Sequence, residues 1–201
     1  MPDKKIYLAS ASPRRKELLN LTGLTFSVRP LENVEEDVIL RGCDYELDES
    51  AEFLAREKAK AALERNIEGI VITADTIVIS DDGQMLGKPA NVSEAALFLD
   101  RLAGNWHTVA TGVAIAERDP AANKDRIVST LETTRVKFAP MTDKEIQDYI
   151  ATGEPFDKAG GYGIQGRVSI FIERIEGDYF NVVGFPLHAF WKAWKKFTGE
   201  D

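Results

Sequence analysis

Gly69-Ile70-Val71-Ile72-Thr73-Ala74-Asp75-Thr76-Ile77-Val78-Ile79 is the stretch on which the fold turns. From Ile70 to Ala74 it is almost continuously apolar, the pattern of a strand covered on both faces rather than one wetted on alternate residues. Ile77-Val78-Ile79 continues that pattern and Asp82-Gly83 provides a turn beyond it. Asp75 stands in the middle. An ionised carboxylate in a buried strand is costly unless a cation, a metal or several donors compensate it. Two readings stay open: a carboxylate with a chemical task at a strand end, or a strand that breaks at Ala74 and leaves Asp75 in a bend.

Helix and strand patterns alternate on both sides of this stretch, as in an α/β or α+β fold. Ile6-Tyr7-Leu8 reads as a strand, followed by Ser12 as N-cap, Pro13 at the first helical position, and Leu18, Leu19 and Leu21 before Gly23. Thr25–Arg29 reads as a short strand, and Glu32–Glu52 as an acidic loop or helix approach with Arg41 its only base. Ala51–Arg65 and Ser93–Ala103 are helical; Trp106–Ala116 and Ile127–Phe138 are longer strands around a polar turn. Thr142-Asp143-Lys144-Glu145 is a capping box, and Ser169–Ile175 alternates like a strand. Leu187, Phe190, Trp191, Trp194 and Phe197 form one stripe of a final helix, as in a core or a subunit contact. A second lobe starting near the capping box remains open.

A chain of 201 residues fits one large domain or two small ones. Its formal net charge of -8 argues against a general nucleic-acid or membrane-surface binder, though not against a phosphate ligand met by a local field. Cys43 is the single cysteine, so no intramolecular disulfide or cysteine-built zinc site is expected. No signal peptide or bilayer-spanning run is evident, and a reducing cytoplasm is the default.

Several charges look awkward without a ligand. Arg14, Arg15 and Lys16 crowd a helix start, where the macrodipole disfavours cations but a phosphate would be gripped well. The alternative is that they point into water. Lys58 falls on the Ala51-Leu54-Ala55-Ala62 seam of its helix, either snorkelling to water or reaching a negatively charged cleft. Lys88 sits between Gly87 and Pro89 and could equally be a surface lysine. Glu35 and Glu36 become metal ligands only if the fold brings them to Asp75. The loop Gly153–Gly166, rich in glycine and carrying Asp157, Lys158 and Gln165, suits a backbone wrapped round a ligand, yet matches neither the P-loop nor the dinucleotide spacing. Basic groups for phosphate, carboxylates for a hard metal and no cysteine or histidine nucleophile favour metal-assisted attack of water on a phosphoryl group.

Leu8-Ala9-Ser10-Ala11-Ser12-Pro13-Arg14-Arg15, Ala74-Asp75-Thr76, Gly87-Lys88-Pro89, Asp157–Gly166 and Gly177–Gly184 together resemble the Maf family of nucleoside triphosphate pyrophosphatases, in family order and across nearly the whole chain. The resemblance implies a single α/β domain with an elongated mixed sheet, flanking helices and a central cleft, commonly forming a homodimer. It implies hydrolysis of a nucleoside triphosphate to the monophosphate and pyrophosphate with Mg²⁺ or Mn²⁺; from the charge balance, no nucleic-acid or membrane partner is expected. Carried over by motif, Asp75 would activate the water. Ser10, Arg15, Lys58, Lys88 and Lys158 would hold the triphosphate; Glu36 (or Glu35) and Asp178 would join Asp75 at the metal. Arg14, Thr76 and Gln165 fall on the side of the family that takes dTTP and UTP rather than 7-methyl-GTP. The family is also associated with septum-formation inhibition, so a nucleotide-binding regulator without turnover is the competing expectation.

Overall fold

The computed structural model describes residues 4–31, 47–65, 67–119 and 124–200, so Glu35, Glu36 and Cys43 lie outside the described residues. The strand β3 runs unbroken from Ile70 to Ser80, straight through Asp75. A bend at Ala74 is therefore ruled out, because β5 (Trp106–Asp119) ladders antiparallel along β3 from Val71 opposite Ala116 to Ser80 opposite His107. Asp75 faces Gly112 in that ladder and Thr76 faces Thr111.

Around this pair, β1 (Ile6–Leu8), β2 (Ser27–Val28), β4 (Met85–Leu86), β6 (Lys124–Phe138) and β7 (Ile172–Glu176) complete a seven-stranded sheet. Its order is β2-β1-β3-β5-β6-β7, with β4 paired to β3. The β2–β1 and β1–β3 pairs are parallel and the others antiparallel, so the sheet is mixed as expected.

Alternation along β3 divides two layers. Val71, Thr73, Asp75 and Ile77 point to the face covered by α2 (Glu49–Glu64). Opposite them β5 carries Ala110, Gly112, Ala114 and Ala116, small side chains that let α2 lie close. A Cβ on Gly112 would overlap the Ala51 carbonyl and the Glu52 Cα, so the helix backbone rests directly on the strand there. Thr73 Oγ1 donates to the Ala55 carbonyl at 2.6 Å and fixes the helix in place.

The other face holds the larger core. Ile70, Ile72, Ala74 and Val78 of β3 join residues of α1 (Pro13–Asn20), α3 (Val92–Leu102), α4 (Asp143–Ile150) and α6 (Leu187–Thr198). The aromatic stripe of α6 belongs to this core: Phe190, Trp194 and Phe197 are buried, with Phe185 packed on Phe190 at 5.0 Å between ring centres. The capping box at Thr142 and Glu145 is formed.

Two expected strands are shortened. Thr25–Arg29 pairs as a strand only at Ser27–Val28. Ser169–Ile175 is a strand only from Ile172, because Arg167–Phe171 winds as a 3-10 turn. Its three-residue period sets Val168 and Phe171 inward and leaves Ile170 in solvent, so the alternation expected over Ser169–Ile175 holds only from Ile172 onward.

Candidate active site

β1 pairs with β3 only at Ile70–Ile72 and β4 only at Val78 and Ile79. Both take the side of β3 that β5 leaves, so among the described residues no strand covers 73–77 there. A cleft of about 730 Å³ opens over this bare edge. It reaches both faces of the strand, which is how the successive residues Asp75 and Thr76 both line it.

On the α2 side, Asp75 is 5% exposed and its carboxylate is bonded to the Lys58 ammonium. The ion pair answers the cost of burying the acid, and it depends on the close seat of α2 on Gly112. Lys58 does not snorkel to bulk water.

On the opposite side, Ser12 caps α1 by accepting from the Arg15 N–H, and the Arg15 side chain turns inward. Its Nε donates to the Gly184 carbonyl at 3.0 Å, Nη1 to the Ala74 carbonyl at 2.7 Å and to Ser10 Oγ at 3.5 Å, and Nη2 to Thr76 Oγ1 at 3.0 Å. One guanidinium thus ties α1, the open edge of β3 and the turn after α5 (Tyr179–Val183) together. Gly184 holds φ 115° there, a conformation that glycine adopts without strain.

The third wall is the glycine-rich loop, folded as 3-10 turns at Glu154–Asp157 and Ala159–Gly161. Lys158 Nζ donates to the Glu154 carbonyl at 2.7 Å and to the Asp157 carboxylate. Burial pushes the Asp157 carboxyl up, but the bonded Lys158 ammonium and the Arg14 guanidinium, 3.8 Å away, carry it below the usual carboxylate range. The Gly160 N–H donates to the Gly87 carbonyl at 3.0 Å, bringing the Lys88 segment against the loop. Tyr162 anchors the loop to the sheet: its hydroxyl is 2.6 Å from His107 Nε2, and both rings pack edge-on against Phe138. Burial lifts the Tyr162 phenol and pushes the His107 imidazole down to about 3.

Ser10, Arg14, Arg15, Lys58, Asp75, Thr76, Lys88, Lys158 and Gln165, scattered over the sequence, all line this one cleft. Its cations outnumber its carboxylates (Asp75, Glu154 and Asp157) in a chain of net charge -8. Lys16 is exposed and takes no part in the wall. Asp178 is not in the wall either: its carboxylate caps α5, accepting the Phe180 N–H at 2.7 Å. Glu36 lies outside the described residues. Among the described residues no three His, Cys, Asp or Glu side chains gather as a metal cage. No helix of the described residues is long and apolar enough to cross a membrane.

Sequence reasoning passed over Thr111 and Val109, and it gave no role to Glu154, Tyr162, Ile164, Val182 and Val183 within the loop and motif that contain them, or to Val78 within its strand. Glu154 left a trace in Gly166, where a Cβ would overlap its carboxylate. Val78 and Val109 read as ordinary strand residues and gave no signal.

Fold and site together define an α/β protein whose cationic cleft closes over one buried acid–base pair. The model of the Maf-like protein family matches residues 5–197, and the chain belongs to that family. A Bacillus cereus protein named dTTP/UTP pyrophosphatase is 46% identical over 97% of this chain and 91% of its own. A Geobacillus protein of the same name is 47% identical over 92% of this chain and 93% of its own. The solved structure of the Staphylococcus aureus Ham1 protein aligns with 68% of this chain and 72% of that one, at 16% identity and a TM-score of 0.40.

Proposed function

We propose that this protein hydrolyses dTTP and UTP to the monophosphate and pyrophosphate. The observation that carries the reading is the buried Asp75 carboxylate on the floor of a cleft ringed by cations. The name dTTP/UTP pyrophosphatase, borne by relatives matched over nearly the full chain, supports the substrate and the reaction.

In this mechanism Asp75 takes a proton from a water that attacks the α-phosphorus, and pyrophosphate departs. Arg14, Lys88 and Lys158 meet the triphosphate oxygens as charge shifts to the leaving group. Lys58 keeps the Asp75 charge compensated before substrate arrives. Arg15 works through the protein, since its guanidinium forks into Ala74, Gly184, Ser10 and Thr76. Gln165 offers a donor and an acceptor to the edge of a base.

A divalent cation, Mg²⁺ or Mn²⁺, fits the donor set. Such ions are commonly bound by one or two carboxylates completed by substrate phosphates, so Asp75 with the triphosphate, and Glu36 if it reaches the cleft, would suffice. When bound, the ion would neutralise charge on the phosphates. The family resemblance also supports a homodimer, and the single cysteine, Cys43, is in keeping with a reducing cytoplasm.

Product analysis with dTTP, UTP, 7-methyl-GTP and ITP in the presence of Mg²⁺ tests the reading. Pyrophosphate with dTMP or UMP is expected. Orthophosphate release would overturn the reaction, turnover of 7-methyl-GTP alone the pyrimidine assignment, and tight binding without turnover would make the protein a nucleotide-binding regulator.

A further inference from the structure

Thr76 is bonded on two sides. Its Oγ1 accepts from Arg15 Nη2 at 3.0 Å and lies 3.0 Å from Thr111 Oγ1, which donates to the Asn181 carbonyl at 3.1 Å. Neither end of this chain can reverse, for a guanidinium only donates and a carbonyl only accepts. Thr111 has a single hydrogen, and it goes to Asn181. All three contacts are hydrogen bonds only if Thr76 gives its own hydrogen to Thr111. The hydroxyl of Thr76 is then left with a lone pair and nothing to donate.

We propose that Thr111, buried behind the cleft and touching no substrate, sets base selection by fixing Thr76 as an acceptor, so that Thr76 takes a nucleobase with a ring imide N–H and disfavours cytosine. The inference rests on the pyrophosphatase reading and deepens it. Thr76 lies on the face of β3 that also bears Val78, beside Val109, Val182 and Val183 in the cleft wall. Apolar surface of that kind suits a planar base, with the phosphates left to the charged residues. Thymine and uracil carry a hydrogen on N3, which meets the Thr76 lone pair. Cytosine N3 carries a lone pair instead and would face it unpaired. Rejection through an unpaired polar group discriminates more sharply than shape alone.

Thr111→Val removes the acceptor for Thr76 while nearly keeping the volume. The Asn181 carbonyl retains the Gly184 N–H at 2.9 Å, so it is not orphaned. With its hydrogen released, Thr76 can turn and donate. Steady-state pyrophosphate release is measured with dTTP, UTP, dCTP and CTP for the wild type, Thr111→Val, Thr111→Ser and Thr76→Val. The kcat/KM ratio of dTTP to dCTP is expected to fall about tenfold or more in Thr111→Val, the equivalent of about 1.4 kcal/mol, and to return in Thr111→Ser. Thr76→Val, which removes the acceptor outright, lowers dTTP turnover more than dCTP turnover and serves if Thr111→Val does not fold. An unchanged ratio in a folded Thr111→Val or in Thr76→Val overturns the inference. A wild type that releases pyrophosphate from no nucleotide overturns the function instead.

Discussion

Asp75 and Lys58 are each hard to explain alone, and each explains the other. A carboxylate in the middle of a covered strand needs a cation, and a lysine in the seam of a buried helix needs an anion. If the Asp75 carboxylate is the base, Asp75→Asn lowers kcat by about 10²- to 10⁴-fold, while nucleotide still binds in equilibrium titration. Full activity in that variant would remove Asp75 from the mechanism. Lys58→Met strands the acid and is expected to cost about 3 kcal/mol in urea unfolding. The Lys58→Met, Asp75→Asn double variant should be less destabilised than Lys58→Met alone, because no unpaired charge stays buried. Both residues were visible in the sequence as misplaced charges, but their pairing was not. It depends on how near α2 approaches β5, which no property of either residue states.

At the scale of elements, that approach is set by Gly112. Adding a methyl there drives α2 off the sheet and Lys58 away from Asp75. Gly112→Ala should therefore cost about 1–3 kcal/mol by overpacking and reduce activity well beyond that loss of folded protein. Thr142→Ala, which breaks the capping box of α4 outside the cleft, should cost about 1 kcal/mol in denaturation and leave kcat/KM intact. Equal loss of activity in the two would mean that the α2 contact has no special bearing on the site. Most elements were legible from periodicity and caps. The unbroken course of β3 was not, since the ladder to β5 that carries Asp75 is a non-local pairing. The 3-10 turn at Arg167–Phe171 was hidden because three-residue and two-residue spacings coincide over so few side chains.

Over the whole molecule, two partial edge partners on β3 leave a stretch that no strand among the described residues covers, and the cleft lies over that stretch. Segments far apart in sequence reach it from both faces, which is why an acidic chain presents a basic interior. The motif residues announced a phosphate site, whereas the apolar wall and the Thr76–Thr111 chain emerged only with the sheet assembled. His107 links this architecture to pH. Burial holds its folded pKa at about 3, below the usual 6.5, so its neutral form contributes in full above pH 6.5. That stability is lost as pH falls toward 3, by about 1.4 kcal/mol for each pH unit. His107→Gln, which does not titrate, should flatten the fall in unfolding free energy between pH 7 and pH 5. An identical fall in both proteins would show that His107 is not what couples the fold to acid.

The claim on which the mechanism stands is that the cleft directs water to the α-phosphorus of a nucleoside triphosphate. Turnover of dTTP in water enriched in ¹⁸O, with both products analysed by mass spectrometry, tests it most directly. One ¹⁸O atom in dTMP and none in pyrophosphate is the predicted result; label in pyrophosphate, or release of labelled orthophosphate, would contradict it.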